Sequence, residues 1–252
     1  MLLAGEVRSV ANDTGPPSPG LLYLHGAGLD TWIWEEHVGH LETPTLAASF
    51  PGREGSGVAS GLGLPDYVDH VSRQIEEWSV DEFVVVPHSI GGVVGTEVAA
   101  AFPERVVGFV GVCAAIPTPG GSFLSCLPFP QRTLQRILTR VIGTNPPDSV
   151  VRRSLCRGLS EEDTDRVVEG YVPESRKLYT DRIEGRIPDL PAQYVETTDD
   201  PEFGSALQAQ MAANLSAGTT ASLASGHLPM LSHPAELASI LKRFVERSSE
   251  EH

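Results

Sequence analysis

Apolar residues are not spread evenly along the chain. They gather in six short runs: "LLYLHG" from Leu21, "TLAASF" from Thr45, "EFVVVP" from Glu82, "VVGFVGVCAAI" from Val106, "AQYVETT" from Ala192 and "TTASLAS" from Thr219. Continuous runs, without strict alternation, suit strands that are covered on both faces. Between them the spacing changes to a helical period, which predicts helices over Thr31–Leu41, Pro65–Trp78, Ile90–Ala101, Glu202–Leu215 and Pro234–Arg247. In the last of these, Leu237, Ile240, Leu241, Phe244 and Val245 share one face, and Pro234 falls in the first turn, where its missing N–H costs nothing. Strand and helix alternating through short connections imply an α/β fold, a mostly parallel central sheet flanked by helices.

The interval Pro117 to Pro191 interrupts this alternation. It is rich in proline, carries the helical segments "QRTLQRILTRVIG" and "EEDTDRVVEGY", and contains no clear buried strand. It is expected to be a helical cap insertion, residues 118–191, set over the carboxyl ends of the strands, with 1–117 and 192–252 forming the core domain. In open parallel sheets that edge is where ligands bind. The plainer alternative is a set of extra helices packed elsewhere.

Composition narrows the picture. A chain of 252 residues can bury roughly 70% of its unfolded surface, so a core needs no staples. The formal charge of −15 and the lack of a basic stripe argue against a nucleic-acid partner. Cys113, Cys126 and Cys156 are odd in number and lack metal-ligand spacing, so neither a disulfide framework nor a metal site is expected, and a reducing cytoplasm fits. No apolar run approaches the ~18 residues of a membrane span. The opening "MLLAGEVRS" lacks the basic start of a signal peptide, and "NDTGPPSPG" from Asn12 reads as a turn-rich lead-in. A homodimer is kept open as an assembly state.

The candidate chemistry begins at "VVVPHSIGG", Val84 to Gly92, where an apolar run stops at a serine and two glycines follow. A serine at the tip of a strand-to-helix turn exposes its hydroxyl above the sheet, with backbone N–H groups pointing at whatever binds there. Pro87 stands where G-x-S-x-G has its first glycine, and by itself the pentapeptide reads equally as a helix cap at Ser89.

Read together, "LYLHGAGLDTWIW", "SFPGREGSG", "PHSIGG" and "SGHLPMLSHPAEL" resemble the landmarks of the α/β-hydrolase superfamily, in its order and across nearly the whole chain. Among its members the chain is most similar to small serine esterases related to plant hydroxynitrile lyases and methyl-ester esterases. The resemblance implies a cofactor-free hydrolase of a small-molecule ester.

A serine hydroxyl needs a base near pKa 7. Of eight histidines, His227 follows the sixth run and a glycine, which sets it in a loop beside Ser89. His233 leads into the last helix, His25 braces the first loop, and His37 with His40 has the spacing of a metal pair but is expected to be an ordinary helix face. The imidazolium needs a carboxylate. Glu196, Asp199 and Asp200 are on offer; the resemblance to a Thr-Thr-x-Asp pattern selects Asp200, with Asp199 the local competitor. The order Ser, Asp, His agrees with the superfamily.

The resemblance also assigns the oxyanion donors to the N–H groups of Ile90 and Ala27. Candidates for substrate contact are Gly26, Trp32, His88, Phe123, Leu127, Phe129, Leu228 and Met230, the apolar ones being equally explicable as core. Leu228 stands where hydroxynitrile lyases tend to carry lysine, and Ser89 where dehalogenases and epoxide hydrolases carry aspartate. Lactone hydrolysis, carbon–carbon bond hydrolysis and a ligand receptor with vestigial turnover remain alternatives on the same residues.

Overall fold

The computed structural model describes residues 18–53, 61–141 and 143–250, with residues 249 and 250 described by backbone alone. The opening nine residues, most of the lead-in, and 54–57 of the "SFPGREGSG" loop lie outside the described residues. Strands form where the apolar runs predict them: β1 Gly20–Leu24, β2 Thr45–Ala48, β3 Phe83–Pro87, β4 Val106–Val112, β5 Ala192–Thr197 and β6 Thr219–Leu223. They pair in parallel throughout, in the order β2-β1-β3-β4-β5-β6.

Successive side chains of a strand point to opposite faces, so each apolar run feeds two cores. Leu22, Leu24, Phe83 and Val85 pack on one face with Tyr67, Val71 and Ile75 of helix Leu64–Glu77 and Val93, Val94 and Val98 of helix Gly91–Ala101. Leu21, Tyr23, Val84 and Val86 pack on the other with Leu237, Leu241 and Phe244 of helix Pro234–Glu250. Each such side chain is worth about 1.5–3 kcal/mol when fully buried. The central strands are therefore the rigid base of whatever their carboxyl ends carry.

Several predicted boundaries shift, three of them for a clear local reason. The fourth run extends to Ile116 in sequence but β4 stops at Val112, because Cys113 takes φ +33° and Ala115 donates its N–H to the Ser89 carbonyl instead of continuing the ladder. The helix expected from Glu202 starts at Ser205, since the Asp200 carboxylate draws the N–H groups of Glu202 and Phe203 into a turn. The helix expected over Thr31–Leu41 is a 3-10 turn, Thr31–Trp34, opened by Asp30 and followed by a single α turn, Glu35–Val38.

Between β4 and β5 the described residues form helices Phe123–Cys126, Gln131–Val141, Asp148–Leu155, Glu161–Glu169 and Arg176–Thr180, with no strand. One bridge, Gly28 to Val172, ties this interval to the loop after β1. No described helix is long and apolar enough to cross a membrane.

The sheet order reverses at β1. The chain leaves β1 for β2 on one side, then crosses back to β3 on the other, so the connections diverge above the carboxyl ends of β1 and β3. Such a switch point leaves a crevice. The segments that emerge there are His25–Gly28 and His88–Gly92.

Candidate active site

Ser89 sits at the top of β3 with φ +53°, a left-handed conformation that a residue with a side chain adopts at a cost of about 1–3 kcal/mol. The surroundings hold it there. Its N–H donates to the Val112 carbonyl and its carbonyl accepts from Gly92 and Ala115. The glycines that follow are required sterically: a Cβ at Gly91 would lie 2.7 Å from the His25 carbonyl oxygen, and one at Gly92 would lie 2.4 Å from that of Ala115. Pro87 is the last residue of β3 and needs no N–H there; the close approach of helix to strand is moved to Gly95, where an added Cβ would lie 3.2 Å from the Pro87 ring.

The Ser89 Oγ lies 3.0 Å from Nε2 of His227, whose Nδ1 lies 2.7 Å from Oδ2 of Asp200. Thr197 donates its hydroxyl to the same carboxylate oxygen, and Oδ1 accepts the N–H groups of Glu202 and Phe203. With Oδ1 saturated by backbone donors, Oδ2 is left to face the imidazole. Asp199 is exposed and takes no part.

Burial alone would raise the Asp200 pKa, but the His227 charge, the hydrogen bond from its ring and the two backbone N–H groups overcome this and hold the carboxyl below its ordinary value. Burial alone would lower the His227 pKa; the Asp200 carboxylate reverses that and raises it above ordinary imidazole. The arrangement fixes the His227 tautomer with Nδ1 as donor and Nε2 turned to the serine.

His88 is buried and its pKa is pushed down to about 3, by desolvation first and by the His227 charge second. Its Nε2 donates to the His227 carbonyl at 2.8 Å, and its Nδ1 has no partner. A Cβ at Gly26 would come within 2.8 Å of that Nδ1, so glycine is needed beside it. His25 accepts the Phe50 N–H on Nε2 and therefore donates from Nδ1 to the Gly26 carbonyl. That is the bracing role expected of it.

A cavity of about 180 Å³ opens over Ser89 and His227. The core contributes Gly26, Ala27, His88 and Ile90; the interval after β4 contributes Phe123, Gln135, Val151, Tyr171 and Tyr179. Glu202 and Phe203 close the side above Asp200. The backbone N–H groups of Ala27 and Ile90 make no hydrogen bond to another described residue. A larger cavity of about 300 Å³, between Pro117, Pro188 and Asn214, contains none of these three polar residues.

A family model described as "Alpha/beta hydrolase family" matches residues 21–240. The chain belongs to the alpha/beta hydrolase family. Among solved structures, this hydrolase is similar to an extracellular alpha/beta-hydrolase from a Paenibacillus species (TM-score 0.79, 17% identity, covering 89% of this chain and 98% of that one). It is also similar to the methylesterase MES16 from Arabidopsis (TM-score 0.74, 19% identity, 91% and 99%). At such identities the likeness is one of fold. A sequence match joins it to the 2-succinyl-6-hydroxy-2,4-cyclohexadiene-1-carboxylate synthase of Escherichia coli O8 (strain IAI1), 31% identical over 107 residues. That match spans 42% of this chain and 40% of the synthase.

Within this hydrolase, Gly26, His88 and Phe123 of the expected contact residues reach the cavity, and five others do not. Leu127, Leu228 and Met230 are buried in the two cores, where Leu228 and Met230 pack on the face covered by the last helix. Trp32 lies under the Arg166 guanidinium, 4.0 Å from its ring centre. Phe129 is 85% exposed. Apolar letters near a site do not say which way the side chain turns.

The histidine pair does not converge: His37 is buried, accepting the Tyr23 hydroxyl and donating to the Pro234 carbonyl, and His40 is exposed. His37 is thus held by hydrogen bonds inside the fold and is not an exposed helix face. Among the described residues, the group with metal-ligand proximity is His88, Cys113 and His227; Nε2 of His88 and both ring nitrogens of His227 already serve the hydrogen bonds above. Gln135, Tyr171, Tyr179 and Glu202 were not foreseen; only Glu202, two residues after Asp200, had a positional signal.

Proposed function

We propose that the protein hydrolyses a compact carboxylic ester through an acyl-serine intermediate, with residues 118–191 acting as a cap over the site. The observation that carries this reading is the unbroken hydrogen-bond chain Ser89–His227–Asp200 at a cavity lined by Ala27 and Ile90, whose N–H groups bond no other described residue.

As Ser89 Oγ bonds to the ester carbonyl carbon, its proton passes to Nε2 of His227. The new imidazolium faces the Asp200 carboxylate, and the carbonyl oxygen, now an anion, lies between the N–H groups of Ala27 and Ile90. Collapse breaks the carbon–oxygen bond to the alcohol, which leaves with the proton held by His227. Water then repeats the attack, giving its proton to His227, and the acid departs with Ser89 restored. Loss of one oxyanion donor costs roughly 3 kcal/mol in comparable sites.

The cavity wall favours uncharged substrates. Among the described lining residues Glu202 is a carboxylate and none is lysine or arginine. Like charges in a poorly solvated site repel by several kcal/mol, so a substrate bearing its own carboxylate is disfavoured. The volume, below the usual ~300–1,000 Å³ of ligand pockets, favours a short acyl group.

The match to the synthase is the observation that favours other chemistry on the same residues. Steady-state assays with p-nitrophenyl acetate, a lactone panel and cleavable diketones separate the readings. Ester turnover that Ser89→Ala abolishes supports ours. Turnover confined to carbon–carbon or lactone substrates would replace it.

A further inference from the structure

We infer that Glu174, from the interval after β4, is a positioning residue that holds the turn carrying the Ala27 N–H in its working geometry. The inference rests on the reading of Ala27 as an oxyanion donor. It begins with a buried charge cluster that the proposed reaction does not use. Arg53 and Glu174 form an ion pair with side chains 2% and 0% exposed. Arg53 Nη1 meets Glu174 Oε2 at 3.1 Å, and Arg53 Nη2 bonds Oε1. Tyr67 donates its hydroxyl to Oε2 at 2.9 Å and accepts the Ser175 N–H.

The remaining bonds of the cluster converge on one turn. Glu174 Oε1 accepts the Gly28 N–H at 3.3 Å, Val172 donates to the Gly28 carbonyl at 3.0 Å, and Arg53 donates to the Leu29 carbonyl at 2.7 and 3.0 Å. Gly28 has φ +78°, which glycine reaches as readily as other conformations, and the turn's own closing bond, from the Leu29 N–H to the Gly26 carbonyl, is long at 3.3 Å, so contacts from outside the turn add to its hold. Immediately before it, the Gly26 carbonyl is held by His25, and peptide planarity fixes the Ala27 N–H opposite that carbonyl. The Ala27 peptide is therefore fixed on its amino side by the core and on its carboxyl side by Glu174. Since Glu174 belongs to the interval after β4, displacement of that interval also displaces Gly28.

The test must separate positioning from folding, because removing one partner of a buried pair leaves the other charge uncompensated. Two double variants avoid this: R53M/E174Q and R53M/E174M both remove the pair, but only the glutamine oxygen can still accept from Gly28. E174D is a third, retaining the charge that Arg53 needs while drawing the carboxylate back from the turn. Each is measured for Tm, for kcat and KM on p-nitrophenyl acetate, and for the rate at which a fluorophosphonate labels Ser89.

With Tm values matched between the two doubles, R53M/E174M should have a kcat at least about tenfold below R53M/E174Q, with KM within about twofold, and labelling should slow in parallel. E174D should lose kcat in the same sense. Equal kcat in the two doubles, or a wild-type kcat in E174D, overturns the inference. Failure of the wild-type protein to label at Ser89 would remove the acyl-serine reading and this inference with it; normal labelling of wild type and variants alike would overturn this inference alone.

Discussion

Replacing Asp200 by asparagine tests the internal logic of the site without disturbing its fold. Oδ1 accepts two backbone N–H groups, from Glu202 and Phe203, so the asparagine must put its carbonyl oxygen there. Its NH2 then takes the place of Oδ2, 2.7 Å from His227 Nδ1. Two donors cannot face each other, so His227 changes tautomer: Nδ1 becomes the acceptor and the ring proton moves to Nε2, the nitrogen 3.0 Å from Ser89 Oγ. A protonated Nε2 cannot take the serine proton. Thr197 can rotate its hydroxyl toward Gln208 Oε1, 3.4 Å away, so no new buried group is stranded. In a serine–histidine–aspartate triad a wrong-tautomer substitution lowers kcat on the order of 10⁴-fold, about 5 kcal/mol of barrier. The assay is kcat on p-nitrophenyl acetate at pH 7.5, with Tm as control. A folded D200N protein within tenfold of wild type would refute the tautomer argument and the role of Asp200.

Other predictions concern pH, packing and the neighbouring aspartate. Because Asp200 raises the His227 pKa, the acid limb of kcat/KM should lie above pH 6.5, with activity rising as His227 loses its proton; a limb below pH 6 contradicts this. His37 and His88 have pKa values pushed down to about 4 and about 3, chiefly by desolvation. Lowered values mean stability fully present above pH 6.5 and lost as pH falls toward 4 and 3, with about 3 kcal/mol from His37 alone; Tm flat between pH 7 and pH 4 would be inconsistent with it. Gly92→Ala drives a Cβ to within 2.4 Å of the Ala115 carbonyl oxygen and should cost about 2 kcal/mol or more in urea unfolding. Asp199→Asn, on an exposed side chain, should leave kcat/KM within about twofold, and a large loss would argue that the two aspartates share the role.

The six strands were legible because burial on both faces leaves an unbroken apolar run, and the helix Pro234–Glu250 because one face must stay apolar. The fold class and the family resemblance follow from that alternation and from motifs around Gly26, Ser89 and His227. Their meeting is a different matter. That Asp200 rather than Asp199 faces His227 depends on a turn in which Oδ1 is consumed by backbone donors, which no single letter announces. The cavity wall was poorly legible for a plain physical reason: leucine or methionine near a site satisfies the same pattern whether it faces the cavity or the core, and Leu228 and Met230 face the core. Arg53 and Glu174, 121 positions apart, were invisible because their pairing exists only once the interval after β4 lies against the loops of β1 and β2.

Acylation of Ser89 through His227 is the step on which the proposed reaction turns. Mixing the protein with excess p-nitrophenyl acetate, quenching in acid within the first turnovers and measuring intact and peptide masses tests it directly. An acetyl group should appear on the peptide containing Ser89 and be absent from Ser89→Ala and His227→Ala. An unmodified Ser89 during active turnover, or turnover that survives Ser89→Ala, would contradict it.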